Sequence, residues 1–314
     1  MTTTDIPARE DSVLRDGCGL VDRSERGKLA LSGREAKEFL QGQVTNDVEA
    51  LSEGEGCYAA FLDHKGKMQG DLRVLDLGDE LWLDCERVAL QDLFNMIRRY
   101  KLGLDVELHK RTLECGLLSL IGPAARRVAG GELPDAEHAS ARGEIGGAAV
   151  VRVVTDLGVD VICAADDVAT VRGALEAAGA EPVSEAAAEV QRVESGRPRF
   201  GVDLDQSVIP QEAGLNDRAV SFTKGCYVGQ ETVARLHYRG KPNRRLLGLR
   251  LSEPAAPGTE LRLGEKVVGR LGSVVVSPRL GPLALALVRR EAVPGDKLAI
   301  EGSHAVAEVA ELPF

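Results

Sequence analysis

The chain has 314 residues, 44% of them apolar and 28% charged, and a formal net charge of -10. That length suits two or three domains with ordinary cores. The acidic balance excludes a broad phosphate-binding face as the main activity, because basic surface drives such binding, and no apolar run approaches the roughly 20 residues that span a bilayer.

Residues 1–12 are polar and acidic and are expected to form a loose tail without a signal sequence. Lys28 to Leu31 predicts a short strand. Ser32 with Glu35 three residues on matches a capping box, so a helix carrying Phe39 and Leu40 is expected to end near Val44. Cys57 to Leu62, Asp71 to Leu77 and Leu81 to Leu83 are separated by turn signals at Asp63–Gly66 and Gly78-Asp79, which predicts an antiparallel meander. In the middle strand Leu72, Val74 and Leu75 stand against Asp71, Arg73 and Asp76, and strict alternation places Asp71 on the polar face, expected to be exposed. Leu90, Leu93, Phe94 and Ile97 share a helical face, with Gly103 in the place of a C-cap glycine.

A second strand-rich block runs from Leu113 to Ala164, followed by a helix on Val168, Val171, Leu175 and Ala178 closed by Gly179. Ser184 starts another helix that should end at Gly196, with Pro198 beyond. Residues 201–223 read as irregular. From about residue 242, short apolar runs alternate with Gly and Pro turns, the texture of a small all-β barrel or sandwich. The blocks 28–103 and 113–179 suggest an α+β body of two similar layers. The expected organisation is a tail over 1–12, a body over 13–241 with sub-blocks of about 13–110 and 111–241, and a β-barrel over 242–314.

Six cysteines at 18, 57, 85, 115, 163 and 226 form no Cys-x-x-Cys pair, and five histidines do not pair at ligand spacing. No metal site is expected, and the thiols read as reduced and cytoplasmic. No Gly-rich phosphate loop and no Gly-x-Ser-x-Gly occurs. The most informative segment is Lys224-Gly225-Cys226-Tyr227-Val228-Gly229-Gln230-Glu231. A thiol beside a lysine at the start of a helix would have both levers that favour the thiolate; the alternative is a turn into a helix with Cys226 buried as a small hydrophobe. Arg197, Arg199, Arg235, Arg239, Lys241, Arg244 and Arg245 stand near it, either as a pocket for an anionic small molecule or as a solvated face.

Glu194 occupies the last turn of its helix, where a carboxylate faces the negative end of the dipole. It pairs with nearby arginines, or it offers two acceptors to a flat N–H edge. The segment Gln43 to Asp47 reads either as helix termination or as a polar wall.

The chain resembles the YgfZ/GcvT superfamily of folate-binding, aminomethyltransferase-like proteins. The resemblance rests on Gly19-Leu20-Val21-Asp22, Leu31-Ser32-Gly33, Phe39-Leu40-Gln41, Thr45-Asn46-Asp47 and Asp63 to Leu72, and then on Arg192 to Pro198, Pro210 to Leu215 and the Lys224 segment. The string Lys-Gly-Cys-Tyr-x-Gly-Gln-Glu is similar to the YgfZ branch. The resemblance implies a two-layer body and a C-terminal barrel around a central channel. It implies tetrahydrofolate as ligand, support of iron-sulfur cluster assembly or repair, including enzymes that modify tRNA, and iron-sulfur enzymes or assembly proteins as partners.

By the same resemblance Glu194 grips the pterin, Thr45, Asn46 and Asp71 line the cavity with Asp71 as a catalytic residue, and Cys226, activated by Lys224, acts as nucleophile or transient ligand. Tyr227, Gln230 and Glu231 shape the site, and Arg235 meets a folate tail carboxylate. One departure bears on activity: aminomethyltransferases carry adjacent acids where this chain has Gly70-Asp71, which counts against aminomethyl transfer. A folate-dependent one-carbon transferase and a non-catalytic, folate-dependent scaffold are the alternatives.

Overall fold

A computed structural model describes residues 8–314. Helix α1 (Ala8–Asp16) leads into strands β1 (Gly19–Asp22) and β2 (Gly27–Ser32). Helix α2 (Ala36–Gln41) precedes the meander β3 (Gly56–Leu62), β4 (Met68–Asp76) and β5 (Leu81–Cys85); helix α3 (Leu90–Tyr100) and β6 (Glu107–Lys110) follow. The second block holds β7 (Cys115–Ile121), α4 (Ala125–Ala129), β8 (Ser140–Ile145), β9 (Ala148–Thr155), β10 (Gly158–Ala164), α5 (Val168–Ala177), the short β11 (Glu181–Pro182) and α6 (Glu185–Glu194). After α7 (Asn216–Ala219) and α8 (Gln230–Arg239) come the strands β12 (Arg244–Leu251), β13 (Glu260–Leu263), β14 (Lys266–Ser277), β15 (Gly281–Arg289), β16 (Lys297–Ile300) and β17 (Val306–Ala310).

These strands make three sheets: β3-β4-β5-β2-β6, β11-β1-β7-β10-β9-β8, and a closed barrel β12-β15-β14-β13-β16-β17. Closure removes the exposed edges that a small sheet would otherwise present. The α+β class with a C-terminal barrel is therefore observed. In the first sheet, one face of β4 sends Leu72 and Val74 into a core with Phe61, Leu93 and Ile97. Its other face meets the second sheet through Leu75, Trp82, Leu117, Val153 and Ile162. The body is thus two layers pressed face to face, and charged residues of β4 lie between them.

Three expectations need correction. Residues 8–12 belong to α1, a helix whose Leu14 is buried with Val21 and Ile121; residues 1–7 lie outside the described part. The capping box does not form: Glu35 caps α2 without a side-chain bond, Ser32 Oγ meets His109 Nε2 at 2.8 Å, and the Glu35 carboxylate accepts the Asp105 N–H. Tertiary partners outcompete the local cap. Asp71 and Arg73 are buried, not exposed, because the second sheet covers the polar face of β4.

The barrel is joined to the body by polar bonds, one set buried and one half-buried. Asp203 accepts from Arg192 (3.0 Å) and from the backbone N–H of Ser273 (2.7 Å), where β14 shifts register between Leu271 and Val274. Arg244 donates to both oxygens of Glu212 at 3.1 and 2.9 Å, a bidentate geometry. Apolar packing of Val190 and Val193 against Val275, Leu283 and Leu285 completes the joint. Among the described residues, no helix is long and apolar enough to cross a membrane.

Candidate functional site

Between the two sheets lies a cavity of about 210 Å3. Its walls carry Tyr58, Asp71, Arg73 and Asp84 from the first sheet and Ser119 and Asp160 from the second. Arg26, Glu86, His138, the segment Arg197–Phe200 and Arg218 close its rim.

Two carboxylates here live in opposite surroundings. Asp84 accepts from Arg73 at 2.8 Å and from Arg26 at 3.2 Å. Although burial works against it, these cations hold Asp84 below the usual carboxylate range. Arg73 also reaches Asp160 at 2.8 Å, and Ser119 donates to Asp160 at 2.7 Å. Asp71 has a phenol for a partner: the Tyr58 hydroxyl donates to its Oδ2 at 2.7 Å. Burial pushes the Asp71 carboxyl up to about 6, and the Glu86 charge adds to the rise against the opposing pull of the Tyr58 bond and Arg26. A group poised near neutrality can both take and give a proton, whereas an arginine-locked one cannot.

Arg218 lies over the Tyr58 ring at 5.4 Å and is ion-paired to Glu137. The residues that place Arg218 are those expected to touch ligand. Thr45 Oγ1 donates to the Ala219 carbonyl at 2.5 Å and accepts the Ala60 N–H. Asn46 Nδ2 donates to the carbonyls of Tyr58 (2.8 Å) and Arg218 (3.2 Å). Both side chains tie Arg218 and Ala219 of α7 to β3 and stand outside the cavity lining.

Lys224 is a strut. Its ammonium is buried and donates to the carbonyls of Gln41, Val44 and Asn46 at 2.6, 2.8 and 2.8 Å, which uses all three protons. Burial lowers its pKa to about 8. It lies 5.2 Å over the Tyr227 ring, and Tyr227 is part of the hydrophobic core. Cys226 is exposed and sits four residues before the first helical residue of α8, not at its N-terminus. Both proposed levers on the thiol are therefore spent elsewhere or out of reach. Gln230 opens α8, while Glu231 and Arg235 are exposed on it; none of the three lines the cavity. Gly229 has a φ of 82°, and a Cβ there would come within 2.5 Å of the Asp63 carbonyl, so this glycine seats α8 against the Asp63–Gly66 turn.

Glu194 faces the barrel. Its carboxylate accepts from Ser277 Oγ and from Arg279, both at 2.5 Å, and its carbonyl accepts the Phe314 N–H at 3.0 Å. Of the seven basic residues near the Lys224 segment, Arg197 and Arg199 reach the cavity. Each is already paired, Arg197 to Asp156 and Arg199 to Glu185.

Position 70 answers the question of the missing acid. A Cβ on Gly70 would meet the Phe61 ring at 2.5 Å and Ala89 at 2.7 Å. That is the core face of β4, opposite to Asp71, because successive strand residues alternate. An acid at position 70 would point away from this cavity. Sequence reasoning missed Arg26, Tyr58, His138 and Arg218. The usable signal was Asp71 and Arg73 spaced by two on a strand with a second sheet-forming block to cover them.

Residues 2–224 match the family described as GCVT N-terminal domain. The chain belongs to the glycine cleavage T-protein family. Residues 244–314 match its C-terminal barrel domain. An aminomethyltransferase of Rubrobacter xylanophilus is 29% identical over 97% of this chain and 85% of its own length. A chloroplastic Arabidopsis thaliana protein, provisionally named a transferase, is 28% identical over 95% of this chain and 72% of its own. The crystal structure of the glycine cleavage system aminomethyltransferase T from Bartonella henselae superposes with a TM-score of 0.86 at 23% identity, covering 98% of this chain and 88% of that one, which shows the shared T-protein fold.

Proposed function

We propose that this T-protein family member binds tetrahydrofolate in the central cavity and serves one-carbon transfer there. The observation that carries the reading is Asp71, a buried carboxyl held near neutrality, bonded to Tyr58 and facing the cavity. The residues fit a reduced pterin: the Tyr58 ring backed by Arg218 offers a flat wall, and Asp71 can accept or donate at an N–H edge. Bound tetrahydrofolate would supply the nitrogens that carry a one-carbon unit. Asp71 holds the proton that such a transfer must move, Tyr58 orients its carboxyl, and Arg73 with Asp84 keeps the neighbouring wall charged and fixed. The family's aminomethyltransferases make the reaction class a natural one, and the core-facing Gly70 is compatible with it.

A second reading, support of iron-sulfur enzymes in the manner of the YgfZ branch, is favoured by one feature. Among the six cysteines only Cys226 is exposed, and it is displayed on a segment anchored by Lys224. The two readings share the folate cavity. Calorimetric titration with tetrahydrofolate, followed by an aminomethyl-donor assay for methylenetetrahydrofolate, tests the first. Binding without turnover, together with an iron-sulfur enzyme defect in cells carrying Cys226→Ser, would favour the second. No binding at all would defeat both.

A further inference from the structure

We propose that Arg197 is a ligand-binding residue: the open edge of its guanidinium takes a tail carboxylate of tetrahydrofolate where the central cavity meets a second groove. This rests on the folate reading above and adds the path of the glutamate tail to it. Pockets for drug-sized ligands measure roughly 300–1,000 Å3. The central cavity, at about 210 Å3, has room for the bicyclic head and not for the aminobenzoyl ring and glutamate as well. The tail must leave it. The turn between β9 and β10 marks the way out. Ile121, Thr155, Asp156 and Leu157 line the cavity and also line a groove of about 440 Å3, whose far walls come from α1, α4 and α6. Arg15 and Arg126 are the cations of that groove, and Asp156 is its one acid.

Arg197 stands at this junction. It lines the cavity, and its Nε donates to Asp156 Oδ2 at 2.7 Å. Its backbone is held just past the end of α6, where the Arg197 N–H donates to the Arg192 carbonyl at 3.1 Å. Among the described residues, every other arginine of the cavity has at least one terminal nitrogen bonded to a carboxylate. Arg197 keeps both Nη1 and Nη2 without a protein partner, and its side chain is 34% exposed, so this edge is within reach of a ligand. Two parallel N–H donors on one planar edge form the fork that a carboxylate accepts from bidentately. Arg218 lies 3.9 Å from the same Asp156 oxygen and is bonded to Glu137. Two arginines and two acids balance here, so the junction offers hydrogen-bond donors rather than excess charge. Its complement is a carboxylate that arrives with the ligand, and tetrahydrofolate carries two on its glutamate.

The test is calorimetric titration of the full chain with two probes, tetrahydrofolate and its tail dimethyl ester, which keeps the head and the size and removes both carboxylates. The wild type is expected to prefer the acid by about tenfold or more, and Arg197→Met to bind the two within about twofold of each other. Arg197→Lys covers the case in which the methionine variant fails to fold. It keeps the charge beside Asp156 and loses the fork, so its preference should fall to about threefold or less. A wild type that binds acid and ester equally overturns the inference and leaves the folate reading standing. So does full preference for the acid in either variant. Failure of the wild type to bind both probes overturns the folate reading itself and the inference with it.

Discussion

The Tyr58 hydroxyl donates to Asp71 across 2.7 Å inside a cavity where another carboxylate, Asp84, is held by two arginines. The contrast between the two acids sets the chemistry. It also has a measurable thermodynamic signature, because a carboxyl raised from 3.8 to about 6 favours the folded state only while protonated. Its stabilisation is complete below pH 3.8 and is lost as pH rises to about 6. Asp71→Asn should therefore be more stable than wild type at pH 7, by up to about 3 kcal/mol on the scale of 1.36 kcal/mol per unit, with the difference vanishing near pH 4. The same variant should lose roughly 100- to 10,000-fold in one-carbon transfer, the usual range for a general acid or base. Chemical denaturation at both pH values and a turnover assay check the pair of expectations.

His138 titrates in the opposite sense. Its folded pKa of about 4 lies below the ordinary 6.5, so its contribution is present above pH 6.5 and is lost as pH falls toward 4. In the wild type the Asp71 and His138 contributions nearly cancel between about pH 4 and pH 6. Removing Asp71 should expose the histidine, so that Asp71→Asn loses stability more steeply on acidification over that window than the wild type does. Parallel slopes for the two proteins would contradict this assignment.

Lys224 and Cys226 separate cleanly by variant. Lys224→Met removes the donor from three carbonyls at 2.6–2.8 Å and leaves them buried. A loss of about 2–4 kcal/mol is expected, in the range for orphaned buried polar groups. Weaker folate binding should follow, because the Gln41–Asn46 turn seats the chain that carries Arg218. Cys226→Ser, at an exposed position, should change stability by less than about 0.5 kcal/mol. Denaturant midpoints of the two variants decide the matter.

Glu194 bears on the joint between body and barrel. Glu194→Ala leaves Ser277 and Arg279 without their shared acceptor and should destabilise by about 1–2 kcal/mol, since Arg279 is half exposed and discounts the ion pair. Tetrahydrofolate affinity should hold within about threefold. A hundredfold loss of affinity with little change in stability would instead place Glu194 on the pterin.

Much of the frame was readable in the residues. Alternation over Asp71 to Val74, the helical stripes at Leu90–Ile97 and Val168–Leu175, and the Ser184 cap each recorded a local rule that the fold obeys, whereas Leu75 shares the face of Asp71 and Ala178 lies exposed beyond the end of α5; Ser184 Oγ accepts the Ala187 N–H at 3.2 Å. The site was less readable because its facts are not local. Alternation told which side Asp71 takes but not that a second sheet covers it. The Lys224 ammonium turns to carbonyls about 180 residues earlier in the chain, a contact that no spacing rule contains. Arg218 comes from the four-residue helix α7 and His138 from a turn, and only packing against Tyr58 gives them a role.

The most direct measurement is a crystal structure of the protein with tetrahydrofolate bound. The account predicts the pterin between Tyr58 and Asp71, within hydrogen-bond distance of the Asp71 carboxyl. A pterin seated elsewhere, against Glu194 at the barrel joint or beside Cys226, would contradict it.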